Sequence, residues 1–299
     1  MNPLEVATTQ PDSNQPDSNT TTVLFLGSGA GDWPKSVPAE EETASGNRNY
    51  RRFSALLVNQ QILIDFGPTL ISALQTFEVD SHLLTDILLT HSHWDHLDVP
   101  ALCWLAANRG SSAPLRLWGH PLALARIPWV EGVERHPVQM NEAFCLGRYT
   151  VYPVAGNHWV DESLEQPLLY LFVTDDEKWL YATDTAWFPT QTWRRLAQLQ
   201  LDAIIWDATY GDELLTLAPL GQFGHNTLAM LRLMLPTTFH EKVLRPDAQV
   251  ILTHLCKNYQ PSHEALAQKL QTEGMVPAYD GMVVRIVALQ QPLAPFLKT

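Results

Sequence analysis

We predict an α+β fold arranged as a layered sandwich, on the basis of three observations in the 299-residue sequence. Short β-branched and aliphatic runs bounded by Gly, Asp and Pro recur from Thr22 onward, which is typical of strands. Segments with a helical spacing of apolar residues lie between these runs in both halves of the chain. No linker interrupts the pattern, so a layered sandwich is favoured over a single doubly wound sheet.

The predicted strands are short runs such as "TVLFL", "ILID" and "DILLT", each ending at a polar or turn-forming residue. They are Thr22–Leu26, Ser54–Val58, Ile62–Asp65, Asp86–Thr90, Leu115–Trp118, Tyr149–Val154, Leu168–Val173, Trp179–Ala182, Ala203–Trp206, Val250–Thr253 and Val283–Val287. The predicted helices mostly begin at a Pro or a small polar capping residue. They are Pro68–Phe77, Pro100–Ala107, Pro121–Arg126, Thr190–Gln198, Thr227–Leu235 and Ser262–Glu273.

The chain divides into a polar N-terminal segment and one folded domain. Residues 1–21 repeat "QPDSN" and hold too little apolar surface to fold, so we expect them to be disordered. Residues 22–299 form the predicted domain, in which two long irregular stretches, Asp32–Arg52 and Asp207–Gly224, have the length of functional loops.

Composition excludes several function classes. The net charge of −13 argues against a nucleic-acid or membrane-surface binder, because such proteins usually present a basic face. Three widely separated cysteines suggest neither a disulfide framework nor a thiolate zinc site. Because the sequence shows no signal peptide and no apolar span, we expect a cytoplasmic protein.

The segment "LLTHSHWDHLD" holds an unusual density of metal-binding side chains. His91, His93, Asp95 and His96 follow a predicted strand within one tight turn. Imidazole nitrogens and carboxylate oxygens are ligands that zinc, manganese and iron accept. Two metal ions would be needed to use all four side chains.

The His-x-His-x-Asp-His pattern at a strand end resembles the signature of the metallo-β-lactamase superfamily. That resemblance requires three further ligands in order, each after a strand, and His158, Asp184 and His254 stand at such positions. It also implies the four-layer αββα sandwich of that superfamily. An aspartate that orients a ligand histidine is implied in "ILIDFG", at Asp65.

The resemblance assigns the ligands to two metals. The first metal would be held by three histidines: His91, His93 and His158. The second would be held by Asp95, His96 and His254, and Asp184 would bridge the pair. Zinc is the favoured ion, although Mn²⁺ and Fe²⁺ accept the same ligands.

Two metals and a bridging hydroxide would hydrolyse an ester, amide, lactone, thioester or phosphodiester. We take Asp95 and His225 as the catalytic side chains. In phosphodiesterase branches of the superfamily, a histidine placed like His225 in "QFGHNTLAML" protonates the leaving alkoxide. The alternative for His225 is a helix N-terminal residue without a chemical role.

Within the superfamily, the sequence resembles most closely the cyclic phosphodiesterase of the carbon–phosphorus lyase pathway and its relatives. Matching segments such as "LGSGAGDWP", "RRFSALLV", "YATDTAWFP" and "GHNT" cover most of residues 22–256. The cysteines of that enzyme's structural zinc site are missing here, so no structural zinc is expected and the substrate can differ.

Basic and aromatic side chains suggest how a substrate could be held. Arg48, Arg51 and Arg52 could bind a phosphate, or they could form a solvated loop that balances the charges of residues 40–42; Lys257 is a similar candidate. Glycines of "GSGAG" would let the backbone pass close to the site. Tryptophans beside the ligand positions suggest an apolar wall, with ordinary core packing as the alternative.

The leading interpretation is therefore a dinuclear metal-dependent phosphodiesterase acting on a small cyclic phosphodiester. A lactone or carbon-ester hydrolase on the same site is the second, and a non-catalytic binding protein on this fold is the third. The expected partner is a small-molecule substrate, with no membrane and no nucleic acid, and a homodimer is left open.

Overall fold

The computed structural model describes residues 20–36, 47–161, 163–212 and 224–287. Two sheets of seven strands each form its centre. The first sheet contains β1 (Thr22–Gly27), β2 (Ala55–Val58), β3 (Ile62–Ile64), β4 (Asp86–Leu88), β5 (Leu115–Gly119), β6 (Val133–Pro137) and β14 (Val283–Arg285). The second contains β7 (Phe144–Leu146), β8 (Tyr149–Ala155), β9 (Leu168–Val173), β10 (Lys178–Ala182), β11 (Leu201–Asp207), β12 (Leu244–Thr253) and β13 (Met275–Pro277).

Each sheet is antiparallel in one part and parallel in the other. The first sheet runs β14-β1-β2-β3-β4-β5-β6 and the second runs β13-β12-β11-β10-β9-β8-β7. From β3 to β6 the strands are parallel, as are β10 to β13. Parallel neighbours place their carboxyl ends at one edge of a sheet, so residues that follow these strands come close together.

The helices lie on the outer faces of the two sheets. They are α1 (Leu70–Thr76), α2 (Val99–Asn108), α3 (Pro121–Ala125), α4 (Thr190–Leu196), α5 (Leu228–His240) and α6 (His263–Leu270). Two short 3₁₀ turns cover Ser81–Leu83 and Gln271–Glu273.

Three hydrophobic cores separate four layers. Strand β9 illustrates the arrangement, because Tyr170 and Phe172 point into the core between the sheets, whereas Leu169 and Leu171 pack toward helices of the second sheet. This alternation is the period-two pattern of a strand that is buried on both faces. A third core joins the first sheet to α1, α2 and α3. The predicted α+β sandwich is confirmed, with helices outside two stacked sheets.

Three strands escaped the sequence prediction, and all three lie at sheet edges. They are β6, β7 and β13. The first of them, "VERHP", is polar and ends in proline, and each of the other two has only three residues. An edge strand is covered by neighbours on fewer sides than a central strand, so fewer of its residues must be apolar. Its sequence therefore shows a weaker pattern of apolar residues.

The two largest differences in element boundaries from the prediction are at α5 and β12. Helix α5 continues past Pro236 to His240, because tertiary packing outweighs the local cost of an interior proline. Strand β12 begins at Leu244 instead of Val250. The N-terminal segment lies outside the described residues up to residue 19, but Thr21 is fully buried and its backbone N–H donates to Glu177 Oε1 (3.0 Å).

Candidate metal centre and active site

The ends of four strands deliver the candidate ligands to one place between the sheets. His91, His93, Asp95 and His96 lie between β4 and α2, whereas His158, Asp184 and His254 follow β8, β10 and β12. Among the described residues, four groups of such side chains have ligand atoms within 4.8 Å of one another. Two of these groups contain Asp184, one of them together with Asp207, His225 and His254, and the other two match the ligand sets that the resemblance implies. Of these last two, the first group is His91, His93 and His158, and the second is Asp95, His96 and His254.

In the first group, three ring nitrogens face one another at short distances. His93 Nδ1 lies 2.9 Å from His91 Nε2 and 3.0 Å from His158 Nε2. The outer nitrogen of His158 donates to the Gly224 carbonyl (3.0 Å), which leaves its Nε2 lone pair bare. Burial lowers the pKa of His158 to about 4 and that of His91 well below its usual value. Neutral imidazoles with converging lone pairs suit a metal ion.

In the second group, the outer ring nitrogens are again held by acceptors. His96 Nδ1 donates to Asp65 Oδ2 (2.8 Å), and His254 Nδ1 lies 2.7 Å from Thr209 Oγ1. The inner nitrogens of both histidines face Asp95 Oδ2, at 3.5 Å for His96 and 3.7 Å for His254. Although burial opposes ionisation, these histidines hold the pKa of Asp95 at about 2, so its carboxylate is charged at neutral pH.

Asp184 lies between the two groups and presents one oxygen to each. Its Oδ1 is 3.9 Å from the Nε2 atoms of His91 and His158. Its Oδ2 is 3.0 Å from His96 Nε2 and 3.3 Å from His254 Nε2. This is the position from which a carboxylate can bridge two ions.

Unsatisfied buried atoms provide a direct test of whether these residues fit metal ions. His96 Nε2, His254 Nε2 and Asp184 Oδ2 are buried and have no hydrogen-bond partner among the described residues. Buried polar atoms in proteins are almost always paired. Three orphaned atoms that face the same point are therefore explained by ligation, and the donor set of nitrogen and carboxylate oxygen suits divalent ions.

Asp65 helps to orient histidines in both groups. Besides His96, it accepts hydrogen bonds from Thr90 N (2.8 Å) and from Thr90 Oγ1 (3.0 Å). Thr90 Oγ1 in turn lies 3.0 Å from His91 Nδ1. Asp65 therefore positions histidines of both groups, directly for His96 and through Thr90 for His91.

The backbone is left-handed at three of these residues that are not glycine. The φ angles are 63° at Asp65, 53° at Asp184 and 58° at His254. Such angles cost free energy in L-residues and cluster at functional sites. The fold maintains them because each residue must turn its side chain back from a strand end toward the common centre.

His225 lies beside both groups and is held by a buried carboxylate. His225 Nδ1 is 2.8 Å from Asp207 Oδ2 and 3.8 Å from Asp184 Oδ1. Its ring stacks on His254 with centroids 4.9 Å apart. Burial favours the neutral ring, but the charge and hydrogen bond of Asp207 raise the pKa of His225 to about 9.

Sequence reasoning missed two acidic residues of this site. Asp207 is fully buried and accepts a hydrogen bond from Asn226 N (2.9 Å) in addition to its contact with His225. Its signal in the sequence is its position at the end of the apolar strand β11. Glu165, also buried, accepts hydrogen bonds from Ser92 N (2.7 Å) and Ser92 Oγ (2.5 Å). Since Ser92 separates His91 from His93, Glu165 fixes that turn, and no local pattern marks it.

Comparisons with known proteins agree with this geometry. The family model described as "Beta-lactamase superfamily domain" matches residues 60–254, about two-thirds of the chain. The chain belongs to the metallo-β-lactamase superfamily. No curated protein sequence shows significant similarity to it.

Solved structures of this superfamily share the fold over nearly the whole chain. A diphosphatase from the PhnP family superposes with a TM-score of 0.67 at 22% identity, covering 90% of this chain and 99% of the other. Zn²⁺-bound PqqB from Methylobacterium extorquens gives 0.63 at 17% identity, with 88% and 99% covered. The short form of human tRNase Z gives 0.61 at 19% identity, with 89% and 99% covered.

Close backbone approach at the superfamily motif explains one of the predicted glycines. A Cβ atom on Gly31 would lie 2.8 Å from Asp95 Oδ2. A Cβ on Gly67 would lie only 1.9 Å from the Asp95 carbonyl oxygen. Both positions therefore require glycine for the Asp95 segment to keep its place.

Three tryptophans beside the ligands are substantially exposed. The exposed fractions are 45% for Trp94, 68% for Trp159 and 40% for Trp187. Lys35 Nζ lies 4.3 Å from the centroid of the Trp94 ring. Exposure at this level excludes ordinary core packing and leaves these rings available to contact a ligand at the rim.

The three predicted substrate-binding arginines have structural partners instead of metal-centre contacts. Arg52 donates to Ser72 Oγ (3.0 Å) and Thr76 Oγ1 (2.9 Å), and the Arg48 guanidinium stacks over Tyr279 at 4.2 Å. Arg51 is buried and donates to Ser28, Ala278 and His263. Residues 40–42, offered as balancing charges, lie outside the described residues. A substrate role for these arginines stays a prediction.

His263 should make the stability of the fold depend on pH. Burial, with Arg51 and Arg48 nearby, lowers the pKa of His263 to about 4, below the unfolded value. The unfolded chain therefore binds the extra proton between these pKa values, and the stabilisation present above pH 6.5 is lost toward pH 4. Because water partly screens the charges around His263, we expect a loss of about 1 kcal/mol over this range.

Urea unfolding at several pH values measures this effect. H263Q should flatten the dependence, whereas H240Q, a change at an exposed histidine, should leave it intact. An unchanged slope in H263Q would show that another group titrates.

No helix in the described part of the chain is long and apolar enough to cross a membrane.

Proposed function

We propose that the chain is a dinuclear metal-dependent phosphodiesterase acting on a small, cyclic phosphodiester. The observation that carries the proposal is the Asp207–His225 pair. It lies next to Asp184, the carboxylate between the two ligand groups. Hydrolysis of a diester with an alkoxide leaving group needs a positioned acid, whereas many acyl transfers do not.

The ligand roles follow from the distances. His91, His93 and His158 would hold one ion, Asp95, His96 and His254 the other, and Asp184 would bridge them. When bound, two ions lower the pKa of a shared water from about 16 toward about 7 and neutralise the phosphate oxygens. Zinc is favoured because of the donor set, and the Zn²⁺-bound state of PqqB is consistent with this choice.

The remaining steps belong to side chains of this protein. Asp95, charged at neutral pH, can orient the attacking water while it serves as a ligand. Asp207 holds the proton on His225 Nδ1, so the opposite ring nitrogen faces away from the carboxylate. Protonated His225 can then donate that outer proton to the departing oxygen, after which Asp207 stabilises the neutral ring in its position.

The exposed rim tryptophans would contact the organic part of the substrate. A small substrate is supported by the net charge of −13, which would repel a polyanionic nucleic acid. Free cysteines at positions 103, 145 and 256 are consistent with the reducing cytoplasm. The diphosphatase of the PhnP family, which shares the fold, likewise has a phosphate compound as its substrate class.

Metal analysis with a turnover assay tests the proposal. We expect plasma mass spectrometry to find two divalent ions per chain and the loaded protein to hydrolyse bis(p-nitrophenyl) phosphate. Removing the ions with a chelator should abolish turnover, and adding Zn²⁺ or Mn²⁺ should restore it. Two ions with lactone but no diester turnover would favour the ester hydrolase, and failure to bind ions after reconstitution would exclude both hydrolases.

A further inference from the structure

A cavity near the metal centre is lined by Cys256, two residues after His254, and by none of the candidate ligands among the described residues. Its volume is about 370 Å³, within the range of small-molecule sites. Trp33 forms part of its wall, held by a hydrogen bond from Nε1 to the Leu255 carbonyl (2.8 Å). Tyr50 meets the Trp33 ring edge-on, with centroids 5.6 Å apart. The wall therefore offers apolar surface for the body of a ligand.

Arg51 brings a buried positive charge to this cavity. Its side chain belongs to a residue that is only 4% exposed. Nη1 donates to Ser28 Oγ and to the Ala278 carbonyl, both at 2.6 Å, and Nη2 donates to His263 Nδ1 at 3.3 Å. All three partners are neutral, and within the described ranges no carboxylate oxygen lies within 4 Å of this guanidinium. A buried cation without an ionic partner is costly unless a bound anion supplies one.

The nearby acidic groups are already engaged by other donors. Asp280 accepts hydrogen bonds from Ser28 N (2.9 Å) and Arg52 N (2.6 Å). Asp32 accepts from Lys257 N (2.8 Å). Burial lowers the pKa of Arg51 to about 10 despite the attraction of Asp280 and Glu264, so its charge is only partly compensated.

Lys257 adds a second cation at the opening of the cavity. It is exposed, and its Nζ lies 5.8 Å from the centroid of the Trp33 ring. Cys256 also lines the cavity. Arg51 and Lys257 thus place two positive charges beside an aromatic surface in a protein with a strongly negative net charge.

We propose that this cavity binds the phosphate group of a small phosphorylated metabolite, with Arg51 and Lys257 holding the phosphate and Trp33 contacting the rest of the molecule. Phosphate is favoured because the rigid donor fork of arginine matches its oxygens. The Gly29–Trp33 segment separates the cavity from Asp95. The phosphate could therefore be the distal group of a substrate in the metal centre or belong to a separate effector.

Calorimetric titration of the metal-loaded protein with glucose 6-phosphate tests the binding site without requiring turnover. Glucose serves as the neutral control ligand. We expect K257M and R51K to weaken binding at least about tenfold each, the loss of one charge-assisted hydrogen bond. K242M, at an exposed lysine on the turn before β12, is the matched control and should bind as the wild type does. Thermal unfolding shows whether R51K is folded, and K257M, at an exposed position, carries the test if it is not.

A metal-centre variant separates this site from phosphate binding at the ions. Binding to the cavity should persist in D184A. Absence of binding to the wild type, or binding that K257M leaves unchanged and D184A abolishes, would overturn the proposal. Because no turnover is involved, these outcomes are independent of the hydrolytic function.

Inhibition kinetics then distinguish the two sources of the phosphate. If the phosphate is the distal group of a substrate, glucose 6-phosphate should compete with a diester that carries a second phosphate. K257M should then raise the KM of that diester more than the KM of bis(p-nitrophenyl) phosphate. For a separate effector, glucose 6-phosphate should change kcat without competing. Either pattern would support an anion site in the cavity that acts on the metal centre. If bound glucose 6-phosphate changed the turnover of neither substrate, the inferred link between the cavity and the metal centre would be wrong.

Discussion

Replacement of Asp184 by alanine should remove the bridge between the two ligand groups and abolish hydrolysis. Each Asp184 oxygen faces two histidine nitrogens, so the variant removes a negative charge from both groups at once. Loss of an outer partner of a ligand already costs about 10–100-fold in metal affinity or activity, and loss of a direct bridge should cost more. We expect fewer than two ions per chain and no measurable turnover.

Metal titration and phosphodiester assays on purified D184A measure these effects together. The matched control is D175A, which removes the same charge from an exposed turn between β9 and β10. D175A should keep two ions and wild-type turnover. Two tightly bound ions in D184A would contradict a bridging role for this carboxylate.

Replacement of His225 by alanine should lower turnover while both ions are retained. His225 contacts the ligand groups through Asp184 and through ring contacts with His254 and His158, so its removal leaves the seven proposed ligands in place. A positioned acid raises the reaction rate by about 10²–10⁴-fold, and H225A should lose this whole factor when the leaving group is an alkoxide. A p-nitrophenolate leaves without protonation, so its release should be affected far less.

The decisive measurement compares an alkyl diester, such as a 2′,3′-cyclic nucleotide, with bis(p-nitrophenyl) phosphate. H225A should lose more with the alkyl diester, and D207N should show part of the same difference because it removes the charge that holds the His225 proton. H240A, at an exposed histidine, should match the wild type. Equal losses of H225A with both substrates would assign His225 a structural role.

The sequence predicts a set of ligand side chains that the structure brings together, and its signals are local. Four ligand side chains lie within six residues, and the others each follow a strand whose apolar run is easily recognised. His225 was named through the same family resemblance. Asp65 could be named because it stands at the end of the preceding strand.

Long-range contacts account for what the sequence did not reveal. Glu165 reaches Ser92 across 73 positions of the chain, and Asp207 reaches His225 across 18. Nothing in the residues around Glu165 indicates its partner, since only the packing of the two sheets brings them together. The same holds for Arg51, whose neighbours Ser28, His263 and Ala278 come from three separate segments.

The origin of the ligands has a mechanical consequence. Each candidate metal group takes two side chains from the segment after β4, in the first sheet, and one from a strand end of the second sheet. A bound ion would therefore act as a cross-link between the two halves of the sandwich. The sheets could separate during unfolding only after coordination breaks, so the loaded protein should unfold more slowly than the metal-free protein and resist proteases for longer.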